Sequence, residues 1–297
     1  MVHEQERDMR LKIQRFDPQT IKAHRTILII GRRGSGKSSL CSDLLYHLKD
    51  KVDFGIFMTP TEESAASFRK CAPESWIYDG FNQQKLEDML NMQRNLSRTN
   101  KHRNLLCVLD DCMYDKKVLK GTAIRDLHMN GRHLKCQFIN CVQYLMDVGP
   151  ELRSQIDYCV VLKEPIYSNQ VKLWKFFFGM FPNFNDFRSV LDRCTNNYSA
   201  LVLDNTQPTS ELSDCLFWYR AKLDIPPFRL GSDIFWRLSE KHTRSSKERA
   251  RSESDRQAVQ RLESVCNGKK DRVTVVQRQD ANGKILKEDR GDWTVVS

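Results

Sequence analysis

Five short apolar runs punctuate the first half of the chain, separated by polar stretches long enough for helices. They are Thr26–Ile30 (TILII), Phe54–Thr59 (FGIFMT), Asn104–Asp110 (NLLCVLD), Cys136–Gln143 (CQFINCVQ) and Tyr158–Leu162 (YCVVL). A run that is apolar throughout, rather than alternating, predicts a strand covered on both faces, as in a parallel sheet. Between the runs, Leu40, Leu44, Leu45 and Leu48 recur at helical spacing and predict a helix over Ser38–Lys49. Asn82–Leu96 and Lys117–Met129 read as helices, and Pro150–Gln155 as a short one with its proline in the first turn. Further on, Val171–Phe178 and Phe184–Arg193 read as helices. Ala200–Asp204 and Cys215–Ala221 read as strands extending the sheet, with antiparallel pairing open to them. Strands alternating with helices predict an α/β fold: a mostly parallel sheet covered by helices on both faces.

The pattern also divides the chain. Residues 1–25 form a polar N-terminal extension with a short helix expected around Asp17–Ala23. The α/β domain runs over 26–238. A charged linker, 239–271, is rich in Ser, Arg, Lys and Glu and has too little apolar surface to form a core. In 272–297, Arg272–Gln277 and Lys284–Lys287 flank Asn282–Gly283, which predicts a C-terminal hairpin or tail.

Composition refines this picture little. Of 297 residues, 40% are apolar and 29% charged, the balance of a soluble globular chain. No apolar run approaches the roughly 20 residues that span a bilayer, and the polar N-terminus does not read as a signal peptide. A cytosol-like compartment is therefore expected. The ten cysteines include no CxxC pair, which argues against zinc or dithiol chemistry. Cys107, Cys136, Cys141 and Cys159 lie inside apolar runs, where a thiol behaves as a small hydrophobe. The net charge of +10 favours polyanionic partners, chiefly nucleic acid.

Three elements carry chemistry. Gly31–Ser38 reads GRRGSGKS between an apolar run and a helix. Gly31, Gly34 and Gly36 allow the backbone to wrap a phosphate, and the amides of Arg32, Arg33, Ser35 and Ser39 extend that cradle to the helix N-terminus. Lys37 reaches the β- and γ-phosphates of ATP, and the Ser38 hydroxyl is a ligand for Mg²⁺. At the end of the third run, Asp110 is positioned to hold Mg²⁺ through a water and Asp111 to polarise the attacking water. Gln143, ending the fourth run, is positioned to sense the γ-phosphate or that water.

With these residues in place, the chain resembles the FtsK–HerA superfamily of ATPases. It is more closely similar to the poxvirus-type genome-packaging ATPases of nucleocytoplasmic large DNA viruses. The resemblance rests on GRRGSGKS, VLDD, GRHLKCQFINCVQ followed by PELRSQID, and YSALVLDN followed by LFWYRA, and covers roughly Thr26 to Ala221. It implies an ATP-driven motor that threads double-stranded viral DNA into a preformed capsid. It also implies a homo-oligomeric ring of five or six copies, docking on capsid or portal-vertex proteins, in the cytoplasm of the infected cell or on the virion. The implied roles fall on Lys37 and Ser38 (phosphates and magnesium), Asp110 (magnesium), Asp111 (water) and Gln143 (sensor). The wider superfamily often carries Glu where Asp111 stands.

A ring motor needs an arginine from the neighbouring subunit to stabilise charge on the γ-phosphate. Arg153 is the first candidate and Arg132 the second. Lys116, Lys117 and Lys120 are candidates for gripping DNA phosphates. Competing readings are a helicase or DNA-partition ATPase of the same superfamily, and an ATP-gated binding or scaffold protein with little turnover. A small-molecule kinase has less support, since no lid rich in arginine is evident.

Overall fold

The five apolar runs all become strands of one sheet. The computed structural model describes residues 11–241 except 100, 102, 113–120, 146–147 and 210. The residues expected to form the linker beyond 241 and the C-terminal hairpin lie outside this range, as do Lys116, Lys117 and Lys120. Among the described residues nine strands pair in the order β1-β9-β8-β7-β2-β6-β5-β3-β4. They are β1 Gln14–Arg15, β2 Thr26–Ile30, β3 Phe54–Thr59, β4 Ile77–Asp79, β5 Leu105–Asp110, β6 Cys136–Val142, β7 Tyr158–Val161, β8 Ser199–Asp204 and β9 Leu216–Arg220. From β7 to β4 every pairing is parallel.

Alternation along the buried strands serves two layers. Leu28 and Ile30 of β2 face one hydrophobic layer, and Ile27 and Ile29 face the other. The first layer is closed by Leu86, Met89 and Leu90 of helix Gln83–Arg98 and by Ile124 and Leu127 of helix Thr122–Asn130. The second is closed by Leu40, Leu44, Leu45 and Leu48 of helix Lys37–Leu48. Each of these leucines is almost completely buried, and full burial of one contributes about 1.5–3 kcal/mol. The helix that follows the glycine loop is thus fixed to the sheet by the leucine spacing read from the sequence. The described cysteines are all free thiols. Those inside the strands are wholly buried, and burial pushes the Cys107 and Cys159 thiols up, away from reactivity.

β8 is the one strand antiparallel to its neighbours, β7 and β9. The cause lies in the connection from β7. Helices Tyr167–Phe177 and Phe184–Cys194 pack as a hairpin, with the Phe184 ring edge-on to Tyr167 and Trp174. A helical hairpin returns the chain to the sheet edge it left, so β8 must run backwards. Its first residue, Ser199, and the last residue of β9, Arg220, therefore fall at the carboxyl edge of the parallel strands.

Several elements were not legible in the pattern, among them the following four. β1 has two exposed residues, too few to show a period. Helix Glu62–Arg69 buries only Ser64, Ala65 and Phe68. β4 is a three-residue edge strand. Helix 233–241 carries Phe235, packed against Phe54 and Trp76, and Ser239, which is buried and hydrogen-bonded to the Ser75 hydroxyl. Packing therefore reaches Ser239, where the charged composition placed the start of a linker. Burial of Ser239 is decided by Ser75, far away in sequence, and not by local composition.

Candidate nucleotide site

The glycine loop leaves the carboxyl end of β2 at the centre of the sheet. Gly31 is required by close approach: a Cβ there would lie 2.9 Å from Leu162 Cδ1 and 2.5 Å from Ser35 Oγ. Gly34 and Gly36 are required by conformation, with φ of 77° and 97°. The loop is tightened by Ser35, whose amide (3.2 Å) and hydroxyl (2.7 Å) both donate to the Arg32 carbonyl. Helix Lys37–Leu48 then starts directly after Gly36, so its unpaired amides face the loop. Lys37 is 6% exposed and folds back across the loop, donating to the Gly31 carbonyl at 2.8 Å.

β6 is inserted between β2 and β5. The strand ending in Asp110 is therefore not the direct neighbour of the loop strand; the strand leading to Gln143 is. This order brings the ends of three segments together. Asp111 Oδ1 lies 3.6 Å from Lys37 Nζ, and Gln143 Nε2 donates to Asp111 Oδ2 at 2.9 Å. Asp111 reaches this position by taking a left-handed φ of 53° while its amide donates to the Cys141 carbonyl at 3.0 Å. Aspartate tolerates that conformation better than most side chains.

Asp110 is 3% exposed, and its Oδ1 has no hydrogen-bond partner among the described residues. Burial pushes its carboxyl up, and the Ser64 hydroxyl and the Lys37 ammonium oppose that shift. A buried carboxylate with an open oxygen suits a hard cation that keeps most of its other ligands as phosphate and water, and Ser38 offers an exposed hydroxyl in the cleft. Among the described residues no cluster of three or more His, Cys, Asp or Glu could hold a metal by itself. Magnesium there would depend on the nucleotide for the rest of its shell.

Lys37, Asp111 and Gln143 line a cleft of about 840 Å³ together with Arg32, Arg33, Gly34, Gly36, Ser38 and Ser39, while Asp110 is buried outside its lining. The remaining wall holds Thr61, Glu63 and Ser64 from the start of helix Glu62–Arg69, and Tyr198, Arg220 and Leu223. Sequence reasoning missed that wall. Its one sequence signal was Pro60–Thr61 followed by two glutamates, the composition of a helix N-terminus. Tyr198 and Arg220 stand inside the YSALVLDN and LFWYRA motifs, but only the reversal of β8 carries them to this edge.

Arg153 and Arg132 lie at the other, amino edge, ahead of β7 and β6, around a shared depression of about 440 Å³. Arg153 is 8% exposed, donates from Nε to the Val148 carbonyl at 2.8 Å and stacks its guanidinium 4.1 Å over the Phe176 ring. Arg132 is 59% exposed and pairs with Asp157, which is itself buried. The structure brings neither arginine to the glycine loop of its own chain.

The parallel sheet, the loop-to-helix phosphate cradle and the two-strand spacing of the acid define a P-loop NTPase fold. Within that class, a family model described as Poxvirus A32 protein matches residues 13–172, and the chain belongs to that family. The resemblance to the poxvirus-type viral group is thereby borne out. Among its relatives, uncharacterized protein 088R of Invertebrate iridescent virus 3 is 30% identical over 208 residues, or 69% of this chain and 80% of that protein. The crystal structure of B204, the DNA-packaging ATPase from Sulfolobus Turreted Icosahedral Virus, is similar in fold. Its TM-score is 0.51 at 18% identity, over 68% of this chain and 100% of that one. The genome packaging NTPase B204 from Sulfolobus turreted icosahedral virus 2, in complex with AMPPCP, gives 0.50 at 15% identity, over 70% and 100%.

Proposed function

We propose that this chain is an ATP-hydrolysing motor that moves double-stranded viral DNA into a capsid. The observation that carries the proposal is the convergence of Lys37, Asp111 and Gln143 within 3.6 Å and 2.9 Å contacts at the mouth of a glycine loop. Phosphoryl transfer to water needs positioning and charge compensation, and these groups supply both. The loop amides and Lys37 hold the β- and γ-phosphates, with Lys37 exchanging its Gly31 carbonyl for phosphate oxygen. Bound magnesium would neutralise phosphate charge, held by Ser38 and by Asp110 through water. Asp111 accepts a hydrogen bond from the attacking water. Gln143, already bonded to Asp111, couples the state of that carboxylate to β6. The net charge of +10 supports a polyanionic substrate gripped by its phosphates without base readout. Membership of the A32 family and the fold shared with packaging ATPases support viral DNA as that substrate. The working form is a homo-oligomeric ring docked on the capsid vertex, in the cytoplasm of the infected cell and on the virion.

The test is ATP turnover by the purified full chain with and without long duplex DNA, alongside native mass measurement. Stimulation by duplex DNA and a ring-sized mass are expected. Turnover indifferent to DNA would leave only a nucleotide-gated binding protein. The two acids should separate in the same assay. Asp111→Asn is expected to bind Mg·ATP normally and lose turnover by on the order of 10²-fold. Asp110→Asn is expected to weaken Mg·ATP binding itself, as read by calorimetry. The reverse pattern would exchange the two roles.

A further inference from the structure

The cleft has a chemically defined far end. Lys37, Asp111 and Gln143 mark where a γ-phosphate sits, and Ser38 and Ser39 continue the cradle away from them. Tyr198 lines both this cleft and a further cavity of about 560 Å³ that also includes Lys163, Pro165 and Asn196. The Tyr198 ring stands beside the loop itself: Cδ1 is 3.5 Å from where a Cβ on Gly36 would be. Leu223, which also lines the cleft, is 83% exposed.

Tyr198 sits there against its own backbone preference. The Ser199 amide donates to the Asn196 carbonyl at 3.0 Å, closing a four-residue turn. Its central residues, Asn197 and Tyr198, have φ of 52° and 59°. Two consecutive left-handed residues are the signature of a turn that favours Asn followed by Gly. Asparagine occupies the first position as expected. The second holds a bulky aromatic, a conformational outlier for such a residue. Nor is the ring there for packing, because it is 69% exposed. A strained, solvent-facing aromatic at the mouth of a binding cleft is the combination that marks a ligand contact.

We infer that Tyr198 is the stacking platform for the nucleobase, with the apolar Leu223 side chain as the opposing rim. The inference rests on the nucleotide reading above and adds its base subsite. On this inference the ligand runs from the γ-phosphate at Asp111 and Gln143, past the α-phosphate near Ser39, to the base against Tyr198. Stacking of a base on an aromatic ring is favourable for any base, because each has a π-face. The platform therefore contributes affinity without choosing between purines. It also links the turn ahead of β8 to the ligand.

The experiment is calorimetric titration of the full chain and of Tyr198→Gly and Tyr198→Phe with Mg·ATP, Mg·GTP and Mg·tripolyphosphate, with melting curves for each protein. Tyr198→Gly relieves the left-handed strain, so its melting temperature is expected to equal or exceed that of the parent. Its affinity for ATP and GTP is expected to fall alike, by about 10-fold, while tripolyphosphate binds as before. Tyr198→Phe, which keeps the π-face, is expected to retain both affinities. Unchanged ATP binding in Tyr198→Gly would overturn the stacking role. So would an equal loss for tripolyphosphate, which would mean the turn shapes the phosphate loop instead. A parent chain that binds neither ATP nor tripolyphosphate would overturn the nucleotide site as a whole, and the base subsite with it.

Discussion

The Lys37→Ala protein is expected to fold normally and lose ATP turnover by on the order of 10²-fold or more, the scale of one preorganised electrostatic group. Lys37 is buried, and its ammonium lies between the loop carbonyls and Asp111. Alanine removes the charge that neutralises the transferred phosphoryl group. It also leaves Asp110 and Asp111 with less positive charge nearby, and burial already pushes the Asp110 carboxyl up. Magnesium needs that carboxylate ionised, so Mg·ATP affinity should fall together with turnover. Folding should survive, because the leucines that fix helix Lys37–Leu48 to the sheet are untouched. Steady-state Mg-ATPase assays and a melting curve on the same preparation check both halves. Near-parental turnover in the folded variant would remove the site assignment.

In the proposed ring, removal of an arginine that completes a neighbour's site is expected to have a still larger effect, roughly 10³-fold in turnover. A side chain that reaches into another subunit must be accessible. Arg132, 59% exposed, meets that condition; Arg153, 8% exposed against Phe176 and the Val148 carbonyl, does not. Arg132→Ala is therefore expected to assemble and bind ATP, yet hydrolyse poorly. Mixing it with Lys37→Ala protein should restore part of the activity, since some interfaces then pair an intact loop with an intact arginine. Arg153→Ala is expected to lower the melting temperature and to show no rescue on mixing. Rescue of Arg153→Ala but not of Arg132→Ala would reverse the assignment and restore Arg153 as the trans-acting residue.

Legibility in the sequence followed the range of the interactions involved. The glycine loop could be read because its requirements are local. Backbone freedom at Gly34 and Gly36, a lysine and a serine at fixed offsets, and a preceding apolar strand all lie within about a dozen residues. The five parallel strands could be read because burial on both faces leaves a continuous apolar run. Asp110, Asp111 and Gln143 could be proposed because each ends such a run. The placement of β6 between β2 and β5 could not be read, since strand order depends on pairings between residues far apart in sequence. The accessibility of an arginine is likewise decided by what packs on it: Phe176 against Arg153, and Asp157 beside Arg132. By itself the sequence determined the phosphate loop, the acids and the α/β class. Only the tertiary structure decided that Lys37, Asp111 and Gln143 touch, that helix Glu62–Arg69 faces them, and that the reversed β8 carries Tyr198 to the same cleft. Local patterns specify conformations and candidate chemistry, whereas the meeting of groups from different strands is set by long-range pairing and core packing.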